Sequence, residues 1–97
     1  MLHTVNKSPY RSNLLDTAVK FASKGEPILL IEDGVLAAAR GTSQEAKIKE
    51  ILANHELYAL EADLKARGID QLIDGVQTAD YGKFVELTVE HKVQNWL

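Results

Sequence analysis

The order of apolar and polar positions divides this chain into short strands and helices. Met1 to Val5 reads as a strand beginning at the first residue. Asn6-Lys7-Ser8-Pro9-Tyr10 reads as a turn, because Pro9 fixes its own φ and keeps Ser8 out of the helical region. Ser12 is placed to cap a helix whose apolar face is Leu14, Leu15, Ala18, Val19 and Ala22. Lys24 and Gly25 supply a last-turn cation and a glycine stop. Ile28 to Ile31, just after Pro27, is continuously apolar and suits a central parallel strand buried on both faces. Glu32-Asp33-Gly34 turns the chain, and Asp33 is expected to cap a short helix over Val35 to Ala39.

Thr42-Ser43-Gln44-Glu45 has the form of a capping box, with Thr42 as cap and Glu45 reaching back. Ile48, Ile51 and Leu52 then give a second helix its apolar stripe. Leu57 to Leu60 reads as the third strand, Ala62 to Arg67 as a helical turn or two closed by Gly68, and Gly75 to Ala79 as a fourth short strand. Asp80 is the next cap, before a helix that places Tyr81, Phe84, Val85 and Thr88 on one face. Val93 to Leu97 closes the chain as a strand. Strand–helix alternation of this kind predicts an α/β fold: one three-layer α/β/α domain over residues 1–97, a parallel sheet with helices on both sides.

Composition narrows the functional classes. The 97 residues are 45% apolar and 26% charged, which is the composition of a single globular domain. There is no cysteine, and this removes disulfides, thiolate metal sites and a thiolate nucleophile together. The apolar runs reach four or five residues, whereas a membrane-spanning helix needs about 20. The opening residues lack a basic segment followed by a long apolar core, so no signal peptide is expected and the expected setting is the cytoplasm. Eleven basic against 14 acidic residues give a formal charge of −3, with no basic stripe. Strong nucleic-acid binding by this chain alone is therefore disfavoured. Neither a Gly-x-Gly-x-x-Gly run nor a Gly-Lys-Ser/Thr loop is present, and no cofactor is expected.

In a parallel sheet, ligands sit beyond the carboxyl ends of the strands. Asn6-Lys7-Ser8 and Glu32-Asp33-Gly34 fall there, and with His3 they offer a base, an acid and a cation. The plainer reading is favoured: Asp33 a cap, Ser8 and Pro9 a turn, Lys7 solvated. His3, His55 and His91 show no metal-ligand spacing. His3 reads as a hydrogen-bonded strand residue, His55 as a turn residue, and His91 as a favourable neighbour of a helix C-terminus. Trp96 either closes the edge of the core, the favoured reading, or anchors an interface.

Four stretches resemble one known family. Met1-Leu2-His3-Thr4-Val5-Asn6-Lys7-Ser8-Pro9 is similar to the opening of the DsrH/TusB family. So are Leu29 to Val35 with Ala37-Ala38, Leu64-Lys65-Ala66-Arg67-Gly68, and the ending from Asp80-Tyr81 through Phe84 to Val89 and on to Trp96-Leu97. The resemblance runs in order over essentially the whole chain. It implies the DsrE-like α/β/α fold, with a five-stranded, mostly parallel sheet. It also implies a subunit of a heterohexameric sulfur-relay complex, with two copies each of this chain and of TusC-like and TusD-like paralogues. The TusBCD version relays persulfide sulfur toward 2-thiolation of the tRNA wobble uridine, and the DsrEFH version serves sulfur oxidation.

Two departures sharpen that implication. Sulfur-oxidising DsrH proteins carry a cysteine in the first helix, where this chain has Ala18. The relatives that carry sulfur place a cysteine near the end of the third strand, where this chain has Leu60-Glu61-Ala62-Asp63. Persulfide transfer needs a thiolate as acceptor and donor, so the resemblance implies a non-catalytic part on the TusB branch. His3, Lys7, Glu32, Asp33 and Trp96 are the candidate interface or thiol-tuning residues. The other readings are a DsrH-like subunit of sulfur oxidation, a stand-alone small enzyme using His3, Lys7 and Asp33, and a homo-oligomeric binding module.

Overall fold

Five short strands carry the fold: β1 (Leu2–Val5), β2 (Ile28–Leu30), β3 (Leu57–Leu60), β4 (Gln77–Ala79) and β5 (Val93–Trp96). The computed structural model describes residues 1–97. The strand order is β4-β3-β2-β1-β5. All four pairings are parallel, with His3 opposite Ile28, Ile28 opposite Leu57, Tyr58 opposite Gln77, and Val5 opposite Trp96.

The helices are α1 (Leu14–Phe21), α2 (Glu45–Leu52), α3 (Glu61–Ala66) and α4 (Tyr81–Glu90), with a 3₁₀ segment at Glu32–Ala38. Their placement follows from the handedness of crossovers. From β1 to β4 the chain steps one way along the sheet, and right-handed connections put α1, the 3₁₀ segment, α2 and α3 on one face. From β4 the chain returns past β1 to the far edge, so α4 crosses the opposite face.

Strand parity agrees. Val5, Ile28, Leu30, Leu57 and Ala59 join Leu15, Val35, Ile48 and Leu64 in the larger core. Leu2, Leu29, Tyr58 and Ala79 meet Leu87 of α4 in the smaller one. The continuous apolar run in β2 exists because both of its faces are covered.

Local chemistry moved several boundaries. The first helix ends at Phe21, not at Gly25. Glu26 accepts the Ser23 N–H at 2.7 Å and draws the chain out of the helix before the glycine. Asn13 occupies the cap position, while Ser12 Oγ supports the same turn by accepting the Leu14 N–H at 3.1 Å. Asp33 does not cap a helix. The Gly34 N–H bonds back to the Ile31 carbonyl, the tighter 3₁₀ turn starts at Glu32, and Arg67 takes the Asp33 carboxylate.

The expected capping box does not form: Gln44, not Thr42, occupies the cap position of α2, Glu45 is its first residue, and no side chain caps it. Thr42 Oγ1 accepts from Gln44 N, and Glu45 reaches back to the Gly41 N–H at 2.8 Å. Asp80 caps α4 as expected, accepting the Lys83 N–H at 2.8 Å. Gly68 closes α3 with φ +66°. Phe84 and Leu87 are the residues of α4 that pack on the sheet, whereas Tyr81 and Val85 stand exposed.

Candidate functional site

Because every strand runs the same way, the five carboxyl ends share one edge of the sheet. It carries Asn6-Lys7-Ser8 after β1, Glu32-Asp33 after β2, Glu61 after β3, Asp80 after β4 and Leu97 after β5. Ser8 is buried, and its Oγ accepts the Tyr10 N–H at 3.1 Å, so its hydroxyl builds the turn. Lys7 and Glu32 stand exposed. Glu32 holds φ +49°, an unusual value for a residue with a side chain. Asp63 fixes it there by accepting the Glu32 N–H at 2.7 Å.

Asp33 pairs with Arg67, whose NH2 lies 2.9 Å and whose Nε lies 3.0 Å from Oδ1. The same guanidinium reaches Asp63, through the main-chain oxygen at 3.3 Å and the carboxylate at 3.6 Å. Arg67 and Asp63 therefore tie α3 to the end of β2. Neither residue was a candidate in the sequence, where more than thirty positions separate each from its partner. A groove of about 370 Å³ follows the ends of β3 and β4, between Leu60, Glu61, Lys65, Tyr81 and Phe84. Its wall at the end of β3 is Leu60 and Glu61, and it holds no sulfur atom.

His3 and Trp96 form a separate constellation. The His3 side chain is fully buried. Trp96 Nε1–H can only donate, so His3 Nδ1 accepts it, at 3.1 Å. The ring proton then sits on Nε2, which donates to Glu26 Oε1 at 2.9 Å. Phe21 meets both rings edge-on, 6.4 Å from His3 and 5.4 Å from Trp96. This cluster joins α1, β1, the entry to β2 and β5 around one imidazole. Neither His3 nitrogen is left for Lys7 or Asp33, and Asp33 is held by Arg67. The three residues of the stand-alone enzyme reading do not converge.

Glu26 also accepts the Met1 amino group at 2.9 Å. Hydrogen bonds from His3, then from the Met1 amino group, then from the Ser23 N–H lower its carboxyl from 4.5 to about 2. A carboxyl depressed in the fold contributes stability that is full above its unfolded value and fades as the pH falls through its folded value. The window is therefore pH 4.5 down to about 2. Glu26→Gln is expected to lose on the order of 1–2 kcal/mol at neutral pH, the worth of charge-assisted hydrogen bonds partly screened by water. It should also flatten the acid fall of the melting temperature across that window. An unchanged acid slope would show that the carboxylate does not hold the cluster.

The remaining histidines stay apart. His91 caps the C-terminal end of α4, where a cation favours the dipole. His55 gives Nδ1 to the Glu26 carbonyl at 2.8 Å. No three His, Asp or Glu side chains form a group able to hold a metal ion. No helix is long and apolar enough to cross a membrane.

Fold and edge together define a class: a small, fully parallel α/β/α domain whose polar carboxyl edge offers ion pairs and unpaired charges but no thiol. Residues 7–94 match the family model described as DsrH like protein, and the chain belongs to that family. It is 43% identical over 95 residues to protein TusB of Photorhabdus laumondii subsp. laumondii, with 97% of each chain covered. It is 42% identical over 96 residues to protein TusB of Pectobacterium parmentieri, again with 97% of each covered. Its fold matches the ychN protein from E. coli with a TM-score of 0.79 at 24% identity, covering 97% of both chains.

Proposed function

We propose that this chain is a non-catalytic subunit of a heteromeric sulfur-relay complex that serves 2-thiouridine synthesis at the tRNA wobble position, in the cytoplasm. Its partners are TusC-like and TusD-like paralogues, two copies of each chain in a heterohexamer. One observation carries the reading: a member of this family has no cysteine anywhere in its 97 residues. Relaying a persulfide requires a sulfur that is first acceptor and then donor. This chain has no such atom, so its part is to bury surface against paralogues and place a partner's thiol.

Support for partner burial comes from α4. Tyr81, Val85 and Val89 stand at i, i+4 and i+8 as an exposed apolar row, with Val93 and Leu97 also exposed nearby in sequence. Such a row is the ridge that helix-to-helix packing uses. Lys7 and Glu32 supply charges on the carboxyl edge that are free to act on a partner's thiol, while Asp33, His3 and Trp96 hold the edge and β5 in place.

Co-expression with TusC-like and TusD-like chains is expected to give one assembly whose native mass fits two copies of each. Deleting this chain should abolish wobble 2-thiouridine, and restoring it should bring the modification back. If the chain purifies away from both paralogues, or thiolation survives its loss, the reading fails. Within the assembly, Lys7→Ala is expected to slow persulfide transfer several-fold by removing a cation that favours the thiolate. Unchanged transfer rates dismiss that role for Lys7.

A further inference from the structure

On the face opposite α4, a groove of about 470 Å³ runs between α1 and α2. One end is closed by an ion pair, with Lys47 Nζ 3.1 Å from Asp16 Oδ1. One turn further along the same helices, Lys20 on α1 and Glu50 on α2 line the groove from opposite sides and do not pair. Val19 and Ile51 lie between them as an apolar floor. Asn54 and His55, just beyond α2, complete the open end.

His55 is the informative residue. It is only 9% exposed, yet it lines the groove. The Glu26 carbonyl can only accept, so the proton of the ring is on Nδ1, donated at 2.8 Å. In the neutral ring Nε2 is then a lone-pair acceptor, and it has no partner in the protein. A buried imidazole with one nitrogen fixed by the main chain and the other free is an oriented acceptor. The Asn54 side-chain amide is likewise free, because only its main chain is engaged, with Gly25 and Ile51.

The open end thus presents two acceptors, the Glu50 carboxylate and His55 Nε2, and two donors, the Lys20 ammonium and the Asn54 amide. They flank an aliphatic floor. We propose that this groove binds a free aliphatic α-amino acid: the ammonium between Glu50 and His55, the carboxylate between Lys20 and Asn54, and the side chain over Val19 and Ile51. The site is separate from the carboxyl edge and independent of the sulfur-relay reading.

The test is a titration of the ¹⁵N-labelled chain with L-valine, followed by amide and histidine-ring shifts. Saturable shifts are expected at Val19, Asn54 and the His55 ring. Isobutylamine, which lacks the carboxylate, and isovalerate, which lacks the ammonium, should each bind roughly tenfold more weakly, the scale of one lost charge-assisted hydrogen bond. Glu50→Gln and Lys20→Gln should each weaken L-valine by a similar factor without changing the melting temperature, because both side chains are exposed. The proposal is overturned if no shift saturates up to solubility, if isovalerate or isobutylamine matches L-valine, or if the two variants bind as the parent does.

Discussion

Gly34→Ala is expected to cost at least about 3 kcal/mol and to lower the melting temperature by roughly 15 °C or more, as followed by circular dichroism. The cause is local and geometric. Gly34 packs directly under the end of β1, so that an added Cβ would overlap the carbonyl oxygen of Val5 and lie 3.0 Å from its carbon. Both parties are main chain, so no side-chain rotation relieves the contact. That carbonyl is also engaged, accepting the Ile31 N–H at 3.0 Å where β1 and β2 part. Relief therefore means breaking a bond in the centre of the sheet. It also moves Glu32 and Asp33, and with them the Arg67 fork. Gly68→Ala is the control. Its φ of +66° disfavours alanine, but nothing lies within 4 Å of the new Cβ, so it should lose only about 1 kcal/mol. Gly34 itself has no left-handed φ, so equal losses at the two glycines would mean that the main chain yields to the new Cβ at little cost and that crowding against Val5 does not set the effect.

The contrast between those glycines shows what a sequence can and cannot tell. Gly68 was legible because it ends a helical pattern, and φ is a property of one residue. Gly34 was legible as a turn, but its contact with Val5 depends on how β1 and β2 come together. The same division holds elsewhere. Leu57–Leu60 matches the expected strand residue for residue, and Asp80 caps α4, because both rest on neighbours in the chain. The Asp33 cap was lost to Arg67, 34 positions away, and the end of α1 was set by the Glu26 side chain.

The candidate residues divided along the same line. Lys7 and Glu32 were placed at the carboxyl edge by strand order alone, and the parallel sheet puts them there. That Trp96 would bond to His3 across 93 positions had no periodic signal, since it follows from β5 joining β1 as its outer neighbour. On α4 the expected face was half right. Phe84 packs inward, but the sheet takes Leu87, and Tyr81 and Val85 turn to solvent. A helix with apolar residues on more than one side does not reveal from its own sequence which side meets the sheet and which waits for another surface.

That outer side gives the second large effect. The double variant Tyr81→Asp with Val89→Lys is expected to leave the isolated domain as stable as the parent and, on the proposed function, to weaken its association with the proposed paralogue partners by on the order of a hundredfold or more. Both side chains are largely exposed, Tyr81 at 80% and Val89 at 79%, so the substitutions remove nothing from either core. The charges also suit the helix. An acid at the first position of α4 and a base in its last turn oppose the macrodipole in the favourable sense, so a folding defect cannot masquerade as a binding defect.

What the pair removes is the two ends of the apolar row, leaving Val85 between two charges. A partner helix seated in that row would have to bury an aspartate and a lysine without counter-charges, and desolvation makes that costly. Aromatic anchors such as Tyr81 carry about 2 kcal/mol or more in well-packed interfaces, which is why two substitutions suffice. The measurement is the dissociation constant of the complex by analytical ultracentrifugation, with the melting temperature of the free chain beside it. Association at the parent's strength with an unchanged melting temperature would place the paralogues on another face. A free chain that self-associates through the same row, and loses that self-association in the variant, would assign the surface to a second copy instead.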